Sequence, residues 1–268
     1  MQSNRLSMVP ASLVLAMGLM VVGCSNTPKD VTAGWTPEKI YAEARESADS
    51  GAWDKAIGMF DKLEGRAAGT VLAQQAQIDK AFAQYKTGDK VQAIATLDRF
   101  IRLHPSSPAV DYAIYLKGLV NFNENLGLFS SIIDQDLSER DQKAAKDAYE
   151  AFRELTLRFP ESKYAPEARQ RMTYIVNSLA SYEVHVARYY ASRGAHVAAI
   201  NRAQQAISDY PGVPANEEAL SILISSYQAM GMTDLRKDAQ RVLETNYPQS
   251  KFLKGESLKK SKSWWRFW

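Results

Sequence analysis

A thiol, three imidazoles and a few carboxylate pairs are the side chains of this 268-residue chain best suited to reactive chemistry, and their spacing decides what they can do. Cys24 is the only cysteine, so it has no intramolecular disulfide partner. His104 stands directly before Pro105 in a helix-ending signal, and His185 and His196 are 11 residues apart on different expected helices. The chain contains no HExxH, GxSxG, CxxC or glycine-rich phosphate loop. Asp134/Asp136 and Glu217/Glu218 fall on expected loops or helix starts, where solvation and the positive end of the helix dipole account for them. The residues therefore point to no catalytic site, no metal site and no cofactor, and an enzyme is not expected.

Cys24 has a different chemistry open to it. Arg5 supplies a minimal basic leader, Val9–Val22 is a 14-residue apolar run, and Gly23 is a small residue before the thiol. A run of that length falls short of the roughly 20 residues a membrane-spanning helix needs. Val21-Val22-Gly23-Cys24 resembles the lipobox of bacterial lipoproteins; a secretory signal that merely ends near a cysteine is the plainer alternative. The resemblance implies a diacylglyceryl group on the Cys24 sulfur, cleavage before Cys24 and acylation of the new amino terminus. Several acyl chains anchor stably where one does not. Ser25, in place of Asp, implies sorting to the inner leaflet of the outer membrane. Residues 1–23 then form a signal peptide and 24–34, polar and with Pro28, a flexible tether.

The elements behind these residues are helical and repeated. In Thr87–Pro105, Gly88 breaks one helix, Asp89 opens the next, Ala93, Leu97 and Phe100 share one face, and Pro105 closes it. Gly51, Trp53, Ala56, Phe60 and Leu63 stand 37 residues before Gly88, Lys90, Ala93, Leu97 and Phe100. Gly194 and Gly231 are again 37 apart, and Pro211 and Pro248 follow them by 17 residues, as Pro105 follows Gly88. A fixed frame of this kind argues for stacked helical hairpins. Helices about 8–10 Å apart need a small residue where they meet, and Ala56, Ala93 and Ala199 supply it in second helices. The spacing resembles the tetratricopeptide repeat, with Ala44, Ala81, Gly118 and Ala187 as the small residues of first helices.

The expected fold is all-α, a tetratricopeptide-repeat solenoid of five hairpins and ten helices over residues 35–250. Expected helices are Pro37–Ser50, Trp53–Glu64, Leu72–Thr87, Asp89–Leu103, one from Ala109, one carrying Ala148 and Phe152, an unbroken Ala165–Ser192, Ala195–Asp209, Ala215–Met230 and Thr233–Tyr247. In the third repeat the frame stretches by 18 residues, an insertion at about 123–140 whose Leu126, Leu128, Phe129, Ile132 and Ile133 either tuck onto the solenoid or form a ledge for a partner. The last helix carries Arg236 where the small Ala belongs, as a terminal repeat can. An aromatic ring or His before Pro ends four second helices, at His104, Phe159, Tyr210 and Tyr247.

A solenoid offers a groove for extended peptides or partner helices. Tyr41, Tyr85, Tyr112, Tyr115, Tyr182, Tyr189 and Tyr190, on first helices, are candidate groove residues, with packing between repeats as the alternative. Net charge is +3, too small to imply nucleic acid, and residues 24–250 hold 26 basic against 29 acidic side chains. The basic character lies in the tail, 251–268, with six Lys or Arg against one Glu. Trp264, Trp265, Arg266 and Trp268 suit an interfacial membrane anchor, a docking peptide for a partner protein, or a cap on the last hairpin.

Taken in order, the lipobox, the five hairpins, Asp98-Arg99-Phe100-Ile101-Arg102-Leu103, Asp111-Tyr112, Asp136-Leu137-Ser138-Glu139-Arg140-Asp141 and Tyr189-Tyr190…Arg193-Gly194-Ala195…Asn201-Arg202 resemble the BamD family of the β-barrel assembly machinery. The resemblance covers Cys24 to about Pro248. It implies a non-enzymatic scaffold lipoprotein on the periplasmic face of the outer membrane. It implies as partners the last POTRA domain of BamA, BamC-like and other Bam lipoproteins, and unfolded outer-membrane β-barrel proteins. Asn201 and Arg202 match the family position facing BamA, and Trp53 the substrate-facing end of the groove. Where relatives carry an aromatic-Pro-Phe-Gly turn, this chain has Arg66-Ala67-Ala68-Gly69-Thr70, and Asp54 stands where a basic residue can occur. A periplasmic repeat lipoprotein of another envelope system, for cell wall or pilus assembly, is the alternative, which the inserted third repeat disfavours.

Overall fold

The computed structural model describes residues 30–122 and 139–254. Its helical unit starts at Pro37. Ten helices follow: α1 Pro37–Asp49, α2 Trp53–Arg66, α3 Val71–Lys86, α4 Lys90–Leu103, α5 Val110–Asn121, α6 Glu139–Arg158, α7 Ala165–Ser192, α8 His196–Asp209, α9 Ala215–Ala229 and α10 Thr233–Asn246. No strand occurs among the described residues. Each helix packs on the next in the chain, and the first helices of neighbouring hairpins also touch, α1 on α3, α3 on α5 and α7 on α9. This is the stacking of a tetratricopeptide solenoid, with the repeat frame read from the sequence. Cys24 and the tail residues Trp264, Trp265, Arg266 and Trp268 lie outside the described residues, as does most of the insertion.

The glycine of the frame has a backbone reason. Gly51, Gly88, Gly194 and Gly231 all take positive φ, from 70° to 84°. The residue after each donates its N–H to a carbonyl five positions back: Ala52 to Ser47, Asp89 to Gln84, Ala195 to Tyr190 and Met232 to Tyr227, at 2.8–3.0 Å. This is a Schellman ending, which satisfies the last carbonyls of the first helix and turns the chain into the second. The closing signal is equally regular. His104, Phe159, Tyr210 and Tyr247 each donate their N–H four residues back, to Phe100, Leu155, Ala206 and Leu243, before Pro stops the helix.

Packing follows the register. Ala44, Ala81 and Ala187 of the first helices, and Ala56, Ala93 and Ala199 of the second, are fully buried, with Phe60 and Leu97 four residues on. In the stretched repeat Ala148 and Phe152 are fully buried too, so the frame resumes after the insertion. Gly118 shows why a small residue is needed there: a Cβ would lie 2.4 Å from Cε1 of Phe152. The Phe152 ring is further confined by Tyr115 and Phe122, with centroids at 6.1 and 6.2 Å. Among the described residues two large apolar clusters form, one from α3 to the first half of α7 and one from the second half of α7 to α10, while Ile40, Phe60 and Leu63 are buried within the first hairpin.

Most expected boundaries hold to within a residue. The clearest difference is α2, which runs on to Arg66. The turn after it is built by Thr70, whose hydroxyl donates to Ala67 O at 2.7 Å and accepts from Ala73 N at 3.2 Å, capping α3.

Candidate interaction groove

The first helices present a continuous face. From α1 come Tyr41 and Arg45, from α3 Gln75, Asp79 and Phe82, from α5 Tyr112 and Tyr115, and from the start of α7 Glu167 and Arg171. Helical spacing places each set on one side of its helix, because residues three or four apart are neighbours.

Asp79 is the polar centre of the upper part. Tyr41 donates its hydroxyl to Asp79 Oδ2 at 2.8 Å, and Gln75 donates to Oδ1 at 3.1 Å. Arg45 approaches the same carboxylate at 3.6 Å. Burial, and then the hydrogen bond to Asp79, pushes the Tyr41 hydroxyl up to about 12, so it stays a donor at neutral pH. The Tyr41 ring lies 6.1 Å from Phe60. Burial, with Tyr164 and Asp79 behind it, also raises the Tyr112 hydroxyl.

Trp53 and Tyr85 belong to a second cluster at the hairpin-turn end of these helices. Trp53 meets Phe82 edge-on at 6.0 Å, Phe82 is 6.5 Å from Tyr85, and Lys86 lies over Phe82 at 5.7 Å. The structure thus connects Trp53 and Tyr85 through Phe82 but places Tyr41 in a separate polar cluster along α3.

Lower down, Tyr115 stacks on Tyr164 at 4.7 Å, and Tyr164 touches Tyr112 at 5.3 Å. Burial and a hydrogen bond to Glu167 push Tyr115 up to about 12, and that bond, with Arg171, holds the Glu167 carboxyl below its ordinary value. Tyr115 is buried and is a packing residue, while Tyr112 is half-buried and Tyr189 exposed with Arg193 over its ring at 5.0 Å.

Arg202 of α8 shows an arrangement the sequence reading did not include. It donates from Nη1 to Oε2 of Glu183 on α7 at 3.0 Å. The Glu183 side chain is only 5% exposed and that of Arg202 41%, so a buried carboxylate fixes a guanidinium whose remaining donors reach the surface. Asn201 is exposed beside it.

The sequence also carried an unread signal for ion pairs. Asp61 pairs with Lys80 at 2.8 Å and Asp98 with Lys117 at 2.6 Å. The second pair is the first moved on by 37 residues, and each ties a second helix to the following first helix. Near Lys117, a crevice of about 550 Å³ opens between α4, α5 and α6, lined by Ile94 and Leu157 among paired charges. Among the described residues no three His, Cys, Asp or Glu side chains converge as metal ligands would. Chemically the groove offers carboxylate, guanidinium and hydroxyl groups and aromatic ring faces.

A family model described as an outer membrane lipoprotein, YfiO, matches residues 34–243. The chain belongs to this family. Its relatives include a Neisseria meningitidis serogroup B protein, 44% identical over 261 residues, which cover 96% of this chain and 98% of the relative. A Neisseria gonorrhoeae protein is 42% identical over the same length and a Vibrio cholerae protein 34% over 233 residues, 87% of this chain and 96% of the relative. Each of these carries the name outer membrane protein assembly factor BamD. No enzymatic family appears among these matches. Solved repeats of a Podosopora anserina kinesin light chain cover 81% of this chain and 100% of their own length at 11% identity, with a TM-score of 0.38. No helix among the described residues is long and apolar enough to cross a membrane.

Proposed function

We propose that this YfiO-family chain is a non-enzymatic assembly factor for outer-membrane β-barrel proteins, anchored by lipid on Cys24 to the periplasmic face of the outer membrane. In this reading residues 1–23 are removed, 24–34 tether the solenoid, and the first-helix groove receives extended segments of unfolded barrel proteins. The carrying observation is the fixed donor and acceptor pattern at Tyr41, Asp79 and Arg45, beside the Trp53–Phe82–Tyr85 aromatic cluster. Such a surface can meet both the peptide groups and the alternating side chains of an extended strand. The names of the relatives supply the substrate class.

The BamA-like POTRA domain is assigned to α8, at Asn201 and Arg202, and BamC-like lipoproteins to the N-terminal part. Arg202 suits a partner carboxylate because a guanidinium keeps donors in a rigid fork after one is engaged. Gentle detergent extraction of the lipidated protein should recover a POTRA-containing barrel protein. Asn201→Arg, at an exposed position that leaves the Glu183–Arg202 pair in place, should reduce that recovery about tenfold or more, by loss of over 1.4 kcal/mol, with helicity unchanged. Recovery equal to the parent would place the POTRA contact elsewhere, and failure to recover any barrel protein would overturn the assembly reading.

A further inference from the structure

Arg45 of α1 and Asp79 of α3 face each other across the first two hairpins without closing. Nη1 of Arg45 stops 3.6 Å from Oδ1 of Asp79, and its Nη2 stops 3.7 Å from Asp49. Both separations are too long for a hydrogen bond, so among the described residues the guanidinium has two ion pairs and no hydrogen bond. By contrast the pairs Lys80–Asp61, Lys117–Asp98 and Arg188–Glu218, which also join hairpins, are closed at 2.6–2.8 Å. The Asp79 carboxylate is oriented from its other side, by Tyr41 donating to Oδ2 at 2.8 Å and Gln75 to Oδ1 at 3.1 Å. A carboxylate offers about four acceptor sites on its two oxygens, and these donors take one on each oxygen. From hairpin three the half-buried Tyr112 faces the same place, since the charges of both Asp79 and Arg45 reach its hydroxyl.

An acceptor and a donor held side by side answer what one residue of an extended chain presents. Its N–H and C=O lie on the same side, with N and O about 3 Å apart by the standard bond lengths, and a neighbouring strand meets them with one acceptor and one donor. Asp79 only accepts and Arg45 only donates. A peptide group is uncharged, so it enters between them without upsetting their balance. A carboxylate would meet Asp79 and Asp49 there, and an ammonium would meet Arg45. Phe82, one turn along α3 from Asp79 and packed between Trp53 and Tyr85, offers a ring surface to the side chain of a neighbouring residue.

We propose that Arg45 and Asp79 form a main-chain clamp, Asp79 accepting the N–H and Arg45 donating to the C=O of one residue of an extended peptide. The clamp rests on the groove reading above and fixes what is read there, a backbone position and not a particular side chain. Chains of different sequence then share one site, provided they are extended and their N–H is free.

The test uses the lipidated chain in detergent and an uncharged, fluorescently labelled ten-residue peptide in which Thr and Gln alternate with Val and Phe, followed by anisotropy. A set of copies carries one backbone N-methyl group, moved along residue by residue with the side chains unchanged. One position should lose about tenfold or more in affinity, as for an acceptor left unpaired. Its two neighbours, whose N–H groups point to the other side, should lose less than about threefold. Arg45→Met should weaken the parent peptide about fivefold. Arg45 is half exposed and makes no hydrogen bond among the described residues, so circular dichroism should be unchanged. Asp79→Ala should abolish the penalty at the sensitive position, because the acceptor is gone. A peptide whose binding Trp53→Ala weakens, but which shows no sensitive position and ignores Arg45→Met, overturns the clamp and leaves the groove. A peptide that does not bind at all overturns the groove reading and the clamp together.

Discussion

Hairpins one and two and hairpins four and five use the same repeat frame but distribute charge differently. In the first pair, carboxylate and ammonium groups bridge successive hairpins: Asp61 to Lys80, Asp98 to Lys117, with Glu64 shared between Lys80 and Arg99. In the later pair, Glu183 is buried inside a single hairpin against Arg202, and the link to the next is made by Arg188, which grips Glu218 with two bonds at 2.6 and 3.1 Å. The contrast separates two duties of an ion pair. The pairs that repeat with the frame join neighbours, Glu183–Arg202 inside one hairpin holds one side chain in a set direction, and Arg188–Glu218 joins neighbours without repeating.

α7 contributes to both apolar clusters, and a break in that helix should separate them. Ala180 is fully buried in mid-helix. Ala180→Pro should cost about 3 kcal/mol or more and divide one thermal transition into two, followed by calorimetry; a single lowered transition would mean that the halves unfold as one body without α7.

A smaller effect is expected where the frame resumes after the insertion. Gly118→Ala drives a methyl group into a Phe152 ring that Tyr115 and Phe122 already confine. Overpacking of this kind costs about 1–3 kcal/mol, readable as a shift in the midpoint of denaturation, and no shift would show that the ring has room.

The last test sharpens the charge contrast itself. Arg202→Met leaves the buried Glu183 carboxylate uncompensated and should cost about 3 kcal/mol. Lys80→Met should cost about 1 kcal/mol or less, because removing the buried Lys80 ammonium also removes its desolvation cost, Asp61 is largely hydrated and Glu64 keeps Arg99 at 2.7 Å. Equal losses in urea denaturation would erase the distinction between the two kinds of pair.

Helices were legible because their punctuation is local. Gly88 and Pro105 act on their own backbone, and a residue that must take positive φ or cannot donate an N–H announces itself without reference to the rest of the fold. Small positions such as Ala93 and Gly118 were legible because the repeat showed them several times. The site was less so. Tyr41 and Asp79 are 38 residues apart on different helices, and whether they meet depends on how α1 and α3 cross, which neither residue encodes. Glu183 was missed for a different reason: a glutamate inside a helix reads as solvated until packing removes the water. The 19-residue spacing shared by Asp61–Lys80 and Asp98–Lys117 repeats at the same 37-residue period as the alanines and glycines and is legible in the sequence.

One consequence belongs to α7. Its 28 residues make a rod about 42 Å long, at about 1.5 Å per residue. Ala168, Ile175 and Leu179 are set in one core and Val184 and Ala187 in the other, with no glycine or proline between them. This makes α7 a crankshaft with one end set among hairpins four and five and the other bolted into hairpin three. A twist at its Glu183 end would reach Glu167, bonded to Tyr115, as torque, with no glycine or proline between to absorb it.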